Sequence, residues 1–376
     1  MGHHRIDKLT MPQWGFAMTQ GRVGEWLATE GSEISSGDQV LEIETDKAVG
    51  VVESPIEGTL RRHVAQPGQE IPVGGLLAIV ADASVPDDEI DRFVEGSIVA
   101  AINEQTESLE PAPEFVQVGD RRIRYLQQGK GGSPVVLVHG FTGNLNNWMF
   151  NHAALAEGRT VYAVDLPGHG LSSKDVGDGS VETLASVICD WMDALNLPSA
   201  HLVGHSLGGA IVLDMAFRHP ERLLSCTLIS SVGLGPEIDV EYLDGVVRTD
   251  RRRQLKPWLE RLFADPDQVT RQSVDDLLKS KRLDGVRDAL STITGQLTAD
   301  GQQSVVFRDR LDQIDMPILV VWGERDQIVP HKHAADLPDG WQVKVFEECG
   351  HMVQMEAAVP VNKLIADFLR DTPANE

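Results

Sequence analysis

Residues Ala200 to Gly209 read AHLVGHSLGG, a short and mostly apolar run that breaks at a serine fenced by Gly204, Gly208 and Gly209. The G-x-S-x-G spacing is the one in which a serine sits on a sharp strand-to-helix turn and projects its Oγ from the edge of a sheet. Side chains at the flanking positions would crowd that turn, whereas glycines remove the clash and tolerate its unusual backbone angles. A free serine hydroxyl is a weak nucleophile, so the stretch predicts a histidine base and an acid further along the chain.

Outward from this turn, FVQVG and RRIRYLQQG read as a hairpin. The short apolar runs VVLVH, TVYAVD, HLVGHS, SCTLISS, ILVVWG and VKVFEE alternate with helical stretches. That alternation predicts a mostly parallel sheet covered on both faces. Loops beyond the strands' C-terminal ends are where such sheets place their chemistry. GERDQIVP follows the run Pro317 to Trp322 and puts Asp326 in one such loop; ECGHMVQME follows Val343 to Glu347 and puts His351 in another. Taken singly, Ser206 also reads as a turn serine, Asp326 as a loop-closing residue and His351 as a capping histidine. Their order favours catalysis. With VHGFTGN and DLPGHGLS, these motifs resemble the α/β-hydrolase family over roughly residues 114 to 372.

That resemblance implies a relay in which His351 takes the Ser206 proton and Asp326 fixes the imidazole, while Ser206 attacks an acyl carbonyl. The backbone N–H groups of Phe141 and Leu207 are expected to hold the oxyanion. Asp165 and Glu324 stand as alternative acids. His139, His169 and His205 read as structural turn residues, Cys226 as part of a core strand and Cys349 as a packed loop residue. A helical lid is expected over about residues 235 to 315, with Leu255, Trp258, Leu259 and Leu262 as an apolar stripe.

The front of the chain repeats itself: Gly21, Val23, Leu27, Gly31, Glu33, Ile34, Gly37, Val40 and Ile43 recur 37 residues later, from Gly58 to Val80. Alternating apolar positions separated by turn residues predict a duplicated all-β unit of two small facing sheets. Between the copies, QVLEIETDKAVGVVESP reads as strand, turn, strand, with Asp46 and Lys47 at the tip. A tip lysine alone reads as a solvated turn residue. TMPQWGFAMTQG, ETDKA, ESPIEGTL and PVGGLLAIV together resemble a lipoyl domain, which implies lipoate held as an amide on Lys47. Biotin domains share the shape but place methionines beside the lysine.

Composition bounds the rest. The 376 residues carry a formal net charge of −24, which argues against nucleic acid or an anionic membrane as main partner. Cys189, Cys226 and Cys349 are widely spaced without a C-x-x-C, so no disulfide framework or metal site is expected and a cytoplasmic location fits. No run approaches the length of a membrane span. The expected divisions are an all-β domain at 1–84, a linker at 85–113 and an α/β-hydrolase-fold domain at 114–376. Ile90, Phe93, Val94, Ile98, Ala101 and Ile102 recur at helical spacing in the linker. That helix is expected to dock on the following domain, or alternatively on a partner.

A lipoyl arm joined to a serine acyl-transfer site is similar to the acetyltransferase components of acetoin dehydrogenase complexes. The resemblance implies that a thiamine-diphosphate acetoin dehydrogenase loads acetyl onto the lipoyl group, that acetyl passes to coenzyme A, and that a dihydrolipoamide dehydrogenase reoxidises the dithiol. H-x-x-x-D-G, the signature of the usual lipoyl acyltransferases, does not occur, so the machinery differs from theirs. Arg248, Arg252 and Lys256, four apart and expected to share a helix face with Arg251 and Arg253 beside it, read either as a face paired to carboxylates or as a seat for coenzyme A phosphates. Hydrolysis by the same triad and a catalytically silent scaffold remain alternatives, and the sequence leaves homo-oligomer formation open.

Overall fold

In the first unit the two halves of the repeat fold as mates. Its strands are β1 (Ile6–Thr10), β2 (Gln20–Trp26), β3 (Glu33–Ile34), β4 (Gln39–Glu44), β5 (Val49–Glu53), β6 (Gly58–His63), β7 (Glu70–Pro72) and β8 (Leu76–Ala81). They form two sheets, ordered β1-β8-β6-β3 and β5-β4-β2-β7. Exchanging each strand for its counterpart in the other half of the chain turns one order into the other. The turns repeat too, with Gly31 and Gly68 at φ 89° and 86° and Gly37 and Gly74 at 95° and 78°, where a β-carbon would be strained. Leu9, Val23, Val40, Ile43, Leu60 and Leu77 fill the space between the sheets.

The computed structural model describes residues 6–12, 20–45, 49–94, 97 and 111–372, and the chain divides into units Met1–Glu110 and Pro111–Glu376. β4 and β5 pair antiparallel with Glu44 opposite Val49, as the strand-turn-strand reading requires. Asp46 and Lys47 themselves lie outside the described residues.

The linker helix differs from expectation. From residue 87 to 94 it packs onto the first unit's own sheet, with Ile90 fully buried against Ile79, Ala81 and Val85 and with Phe93 and Val94 beside it. Arg61 and Arg62 pair with Asp87 and Asp91 at 2.7 and 2.9 Å along its edge. The outward-facing side of β8 supplies an apolar surface that the repeat alone did not reveal. Ile98, Ala101 and Ile102 lie outside the described residues.

The second unit is built on β9 (Glu114–Val118), β10 (Arg121–Gln128), β11 (Val135–Val138), β12 (Val161–Val164), β13 (Ala200–His205), β14 (Leu223–Ile229), β17 (Ile318–Gly323) and β18 (Gln342–Phe346); β15 (Thr298–Ala299) and β16 (Gln302–Gln303) form a separate ribbon. The sheet order is β18-β17-β14-β13-β11-β12-β10-β9. From β12 to β18 every pairing is parallel, and β9 and β10 are antiparallel at one end. Each residue of β11, β12, β13 and β17 is buried, which explains their unbroken apolar runs. Val136 and Val138 face one core, with helices Val181–Ala194 and Leu207–Arg218; Val135 and Leu137 face the other, with helix Ala358–Asp371.

Between β14 and β17 the chain forms the lid helices Val240–Arg248, Arg252–Glu260, Arg271–Lys281 and Val286–Leu297. Leu255 and Leu259 are buried, and Trp258 and Leu262 pack partly against the same core. Each such leucine contributes about 1.5–3 kcal/mol by leaving water.

Candidate active site

β13 delivers Ser206 into the turn before helix Leu207–Arg218 at φ 54°, ψ −115°, a conformation L-residues seldom hold. The surrounding backbone imposes it. The Ser206 N–H donates to Ile229 O at 2.9 Å, and its carbonyl accepts from Gly209 and Val232. A β-carbon at Gly204 would lie 2.3 Å from Gly208 O, and one at Gly208 would lie 2.2 Å from Val138 O. The strand and helix therefore approach so closely that only glycine fits.

The turn after β11 approaches from the other side, where a β-carbon on Gly140 would meet Ser206 Cβ and His205 Nδ1 at 2.9 Å each. Among the described residues, neither the Phe141 N–H nor the Leu207 N–H donates to a protein acceptor. Two unspent donors thus flank the serine, as an oxyanion hole requires.

His351 and Asp326 meet where the sequence order places them. His351 Nδ1 donates to Asp326 Oδ2 at 2.8 Å, and Asp326 Oδ1 accepts from the Ile328 and Val329 N–H groups at 2.8 and 3.0 Å. With the proton on Nδ1, Nε2 is left free to accept one. His205, adjacent to the serine, donates from Nε2 to His351 O at 2.9 Å, with ring centroids 4.8 Å apart. No hydrogen bond joins Ser206 Oγ to His351 among the described residues; such contacts commonly close only with substrate in place.

The lid reaches this constellation directly. Glu356 accepts from the Gly350 N–H, beside His351, and from the Ala264 N–H in the turn that follows the lid helix Arg252–Glu260, both at 2.8 Å. Burial pushes its carboxyl up from the usual range. Met352 N–H also donates to Leu262 O at 3.1 Å.

The remaining histidines and acids have other work. Asp165, fully buried, accepts from the Leu145 and Leu171 N–H groups and lies 3.4 Å from Arg124, so it ties loops together rather than serving His351. Glu324 is exposed. His139 Nε2 accepts the Leu166 N–H at 3.0 Å, and burial lowers its pKa to about 4. His169 hydrogen-bonds Pro167 O, and burial lowers it to about 3.

The chain matches the alpha/beta hydrolase fold family over residues 133–358 and the family described as biotin-requiring enzyme over residues 7–80. Across 369 residues, 97% of this chain and 99% of its relative, it is 47% identical to the dihydrolipoyllysine-residue acetyltransferase component of the acetoin cleaving system of Pseudomonas putida. The chain belongs to that family of acetyltransferase components. A 2-hydroxy-6-oxononadienedioate/2-hydroxy-6-oxononatrienedioate hydrolase of Burkholderia vietnamiensis is 31% identical over 66% of this chain and 91% of its own. A solved serine hydrolase from Cycloclasticus zankles shares the fold, with TM-score 0.63 and 24% identity over 70% of this chain and 99% of that one.

In this acetyltransferase component the basic cluster does not form the single face its spacing predicts. Arg248 ends one helix and Arg252 begins the next, with Thr249 and Arg251 in extended conformations between them. Arg248 pairs with Asp244 at 3.1 Å, Arg252 holds Asp275 through two bonds of 2.7 Å, and Lys256 pairs with Glu260 at 2.8 Å. An ion-paired surface replaces the shared face. All three cysteines are buried and free, and burial pushes the Cys189 and Cys349 thiols up to about 11. No helix among the described residues is long and apolar enough to cross a membrane. Glu356 and the tie made by His205 escaped the sequence reading, because each depends on where the lid and loops come to rest.

Proposed function

We propose that the second unit passes an acetyl group from lipoate on Lys47 to coenzyme A through Ser206. The His351–Asp326 contact of 2.8 Å beside the strained serine carries this reading, in a chain whose residues 7–80 match a lipoyl-type family. Ser206 Oγ attacks the thioester carbon and its proton moves to His351 Nε2. The tetrahedral oxyanion rests on the Phe141 and Leu207 N–H groups. As the C–S bond breaks, His351 returns that proton to the departing sulfur, leaving dihydrolipoate and acetyl-Ser206. The coenzyme A thiol then gives its proton to His351 and attacks the ester, and Ser206 takes the proton back. Ping-pong kinetics follow from such an intermediate.

As part of an acetoin cleaving system the chain works with other enzymes. We assign the loading step to a thiamine-diphosphate acetoin dehydrogenase and the reoxidation of the dithiol to dihydrolipoamide dehydrogenase. Water in place of coenzyme A gives the second reading, thioester hydrolysis, which the 31% identity to a hydrolase favours.

The test is product analysis with S-acetyl-dihydrolipoamide, with and without coenzyme A, comparing wild type with Ser206→Ala. Acetyl-coenzyme A made by wild type alone supports the serine route. Acetate released without acceptor supports hydrolysis, and identical behaviour of the two proteins removes Ser206 from the reaction.

A further inference from the structure

The strand that carries the nucleophile ends in a side chain that reaches the loop of the base. His205, the residue before Ser206, is 3% exposed and donates from Nε2 to His351 O at 2.9 Å. Its Nδ1 has no hydrogen-bond partner, so among the described residues this is the one hydrogen bond the ring makes. A buried imidazole with a nitrogen left unmet is a cost to the folded chain, and an apolar side chain would avoid it. Leu202 and Val203 of the same strand are apolar and fully buried. What the polar ring supplies in exchange is the bond to His351.

Three ties hold the backbone around His351. The Gly350 N–H donates to Glu356, the Met352 N–H donates to Leu262 O in the lid, and His351 O accepts from His205. Of these, the His205 bond alone starts from the strand that bears Ser206. The Nδ1 edge of the same ring faces the oxyanion turn, where a β-carbon on Gly140 would lie 2.9 Å from it. One side chain therefore reaches from the turn that offers the Phe141 N–H to the backbone of the base. Because no hydrogen bond joins Ser206 Oγ to His351 among the described residues, backbone ties set their spacing. The path through His205 is one peptide bond and one hydrogen bond long.

We propose that His205 is a positioning residue of the acyl-transfer site, its Nε2–H fixing the His351 backbone against the strand that delivers Ser206. The role requires a neutral donor. Burial, reinforced by the His351 and His139 rings, holds the His205 pKa well below its ordinary value. The His205 and His351 ring centroids are 4.8 Å apart, so a charge on His205 would oppose the imidazolium that His351 becomes in the relay. Asp326 and Glu356 are the carboxylates beside His351, and neither bonds His205. The proposal rests on Ser206 and His351 as the acyl-transfer pair, but its first readout requires no turnover.

Two substitutions in the full-length chain separate the bond from the bulk. His205→Gln keeps a neutral amide donor at the reach of Nε2, and His205→Met matches it in length without a donor. The first readout is the downfield proton resonance of the His351 Nδ1–H held on Asp326, assigned by its loss in His351→Gln. It is expected at the wild-type position in His205→Gln and shifted or broadened away in His205→Met. The second readout is turnover of S-acetyl-dihydrolipoamide with coenzyme A. His205→Met is expected to lose roughly 10- to 100-fold in kcat with KM within about twofold of wild type, because a slightly misplaced reacting group costs rate. His205→Gln should recover most of that loss. A wild-type resonance and kcat in His205→Met overturn the proposal. So does a Gln variant as impaired as the Met variant, which makes the shape of the ring rather than its bond the cause. Failure of either variant to fold, or a wild type without the downfield resonance, also overturns it. If Ser206→Ala still makes acetyl-coenzyme A, the serine relay fails and the resonance alone decides the role of His205.

Discussion

His139 shows how a side chain beside the chemistry can be fixed by its protonation state alone. It is fully buried, and its Nε2 must stay unprotonated to accept the Leu166 N–H. Burial holds its pKa at about 4, below the ordinary value of 6.5. A histidine depressed in the folded state binds fewer protons there than in the unfolded chain, so its stability is whole above the unfolded pKa and drains away as pH falls toward the folded one. His139 alone then accounts for roughly 3 kcal/mol lost by pH 4, and buried His169, lowered to about 3, adds to the same slope. Urea unfolding between pH 4 and pH 7 should show this decline, with His139→Asn reducing it; a flat wild-type profile contradicts the assignment. At this scale Ser206, Asp326 and His351 were legible because each stands in a loop just past an apolar strand. Glu356 was not. Nothing local in HMVQMEAA distinguishes a glutamate that will join the His351 loop to Ala264 from one that will face water, since that depends on where the lid comes to rest.

Among the elements, the β13 turn and the lid contacts make separable demands. A β-carbon on Gly208 would sit 2.2 Å from Val138 O, a backbone atom that no rotamer change can move. Gly208→Ala should therefore cost at least about 2 kcal/mol in chemical denaturation, on the scale of an overpacked core; a cost near zero would mean that strand and helix are not held so closely. Glu356 instead bridges the His351 loop and the lid end through two N–H groups. Glu356→Ala strands both donors and should destabilise by about 2–4 kcal/mol, while kcat falls several-fold through a loosened His351. Unchanged kcat with reduced stability would confine Glu356 to holding the lid. The alternation of apolar strands with helices was readable and gave the mostly parallel sheet, but the order of its strands and the break between Arg248 and Arg252 were not. There Lys281, distant in sequence, takes the terminal carbonyls of the first helix and lets the chain restart in a new direction. The linker helix was likewise found by its period, though the face it covers had to come from the outer side of β8.

For the whole molecule, the coupling of two folds in one chain is the central claim. A tethered arm meets its acceptor site at an effective concentration in the millimolar range for short flexible linkers, provided the linker spans the distance. Delivery from Lys47 to Ser206 within one polypeptide then needs no tight contact between the units. The duplicated strands and the ordered triad made both folds legible, because each is written as a local repeat or as strand-end motifs. The direction of transfer is not written locally, since the same serine serves water or a thiol. The most direct measurement is to load the lipoylated full-length protein with acetyl in the absence of coenzyme A, quench it, and map the acetyl group by peptide mass spectrometry. Acetyl on the Ser206 peptide of wild type, absent from Lys47→Ala and discharged by added coenzyme A, is the predicted result. An unmodified Ser206 peptide, together with full-rate acetyl-coenzyme A formation by Ser206→Ala, would contradict the account.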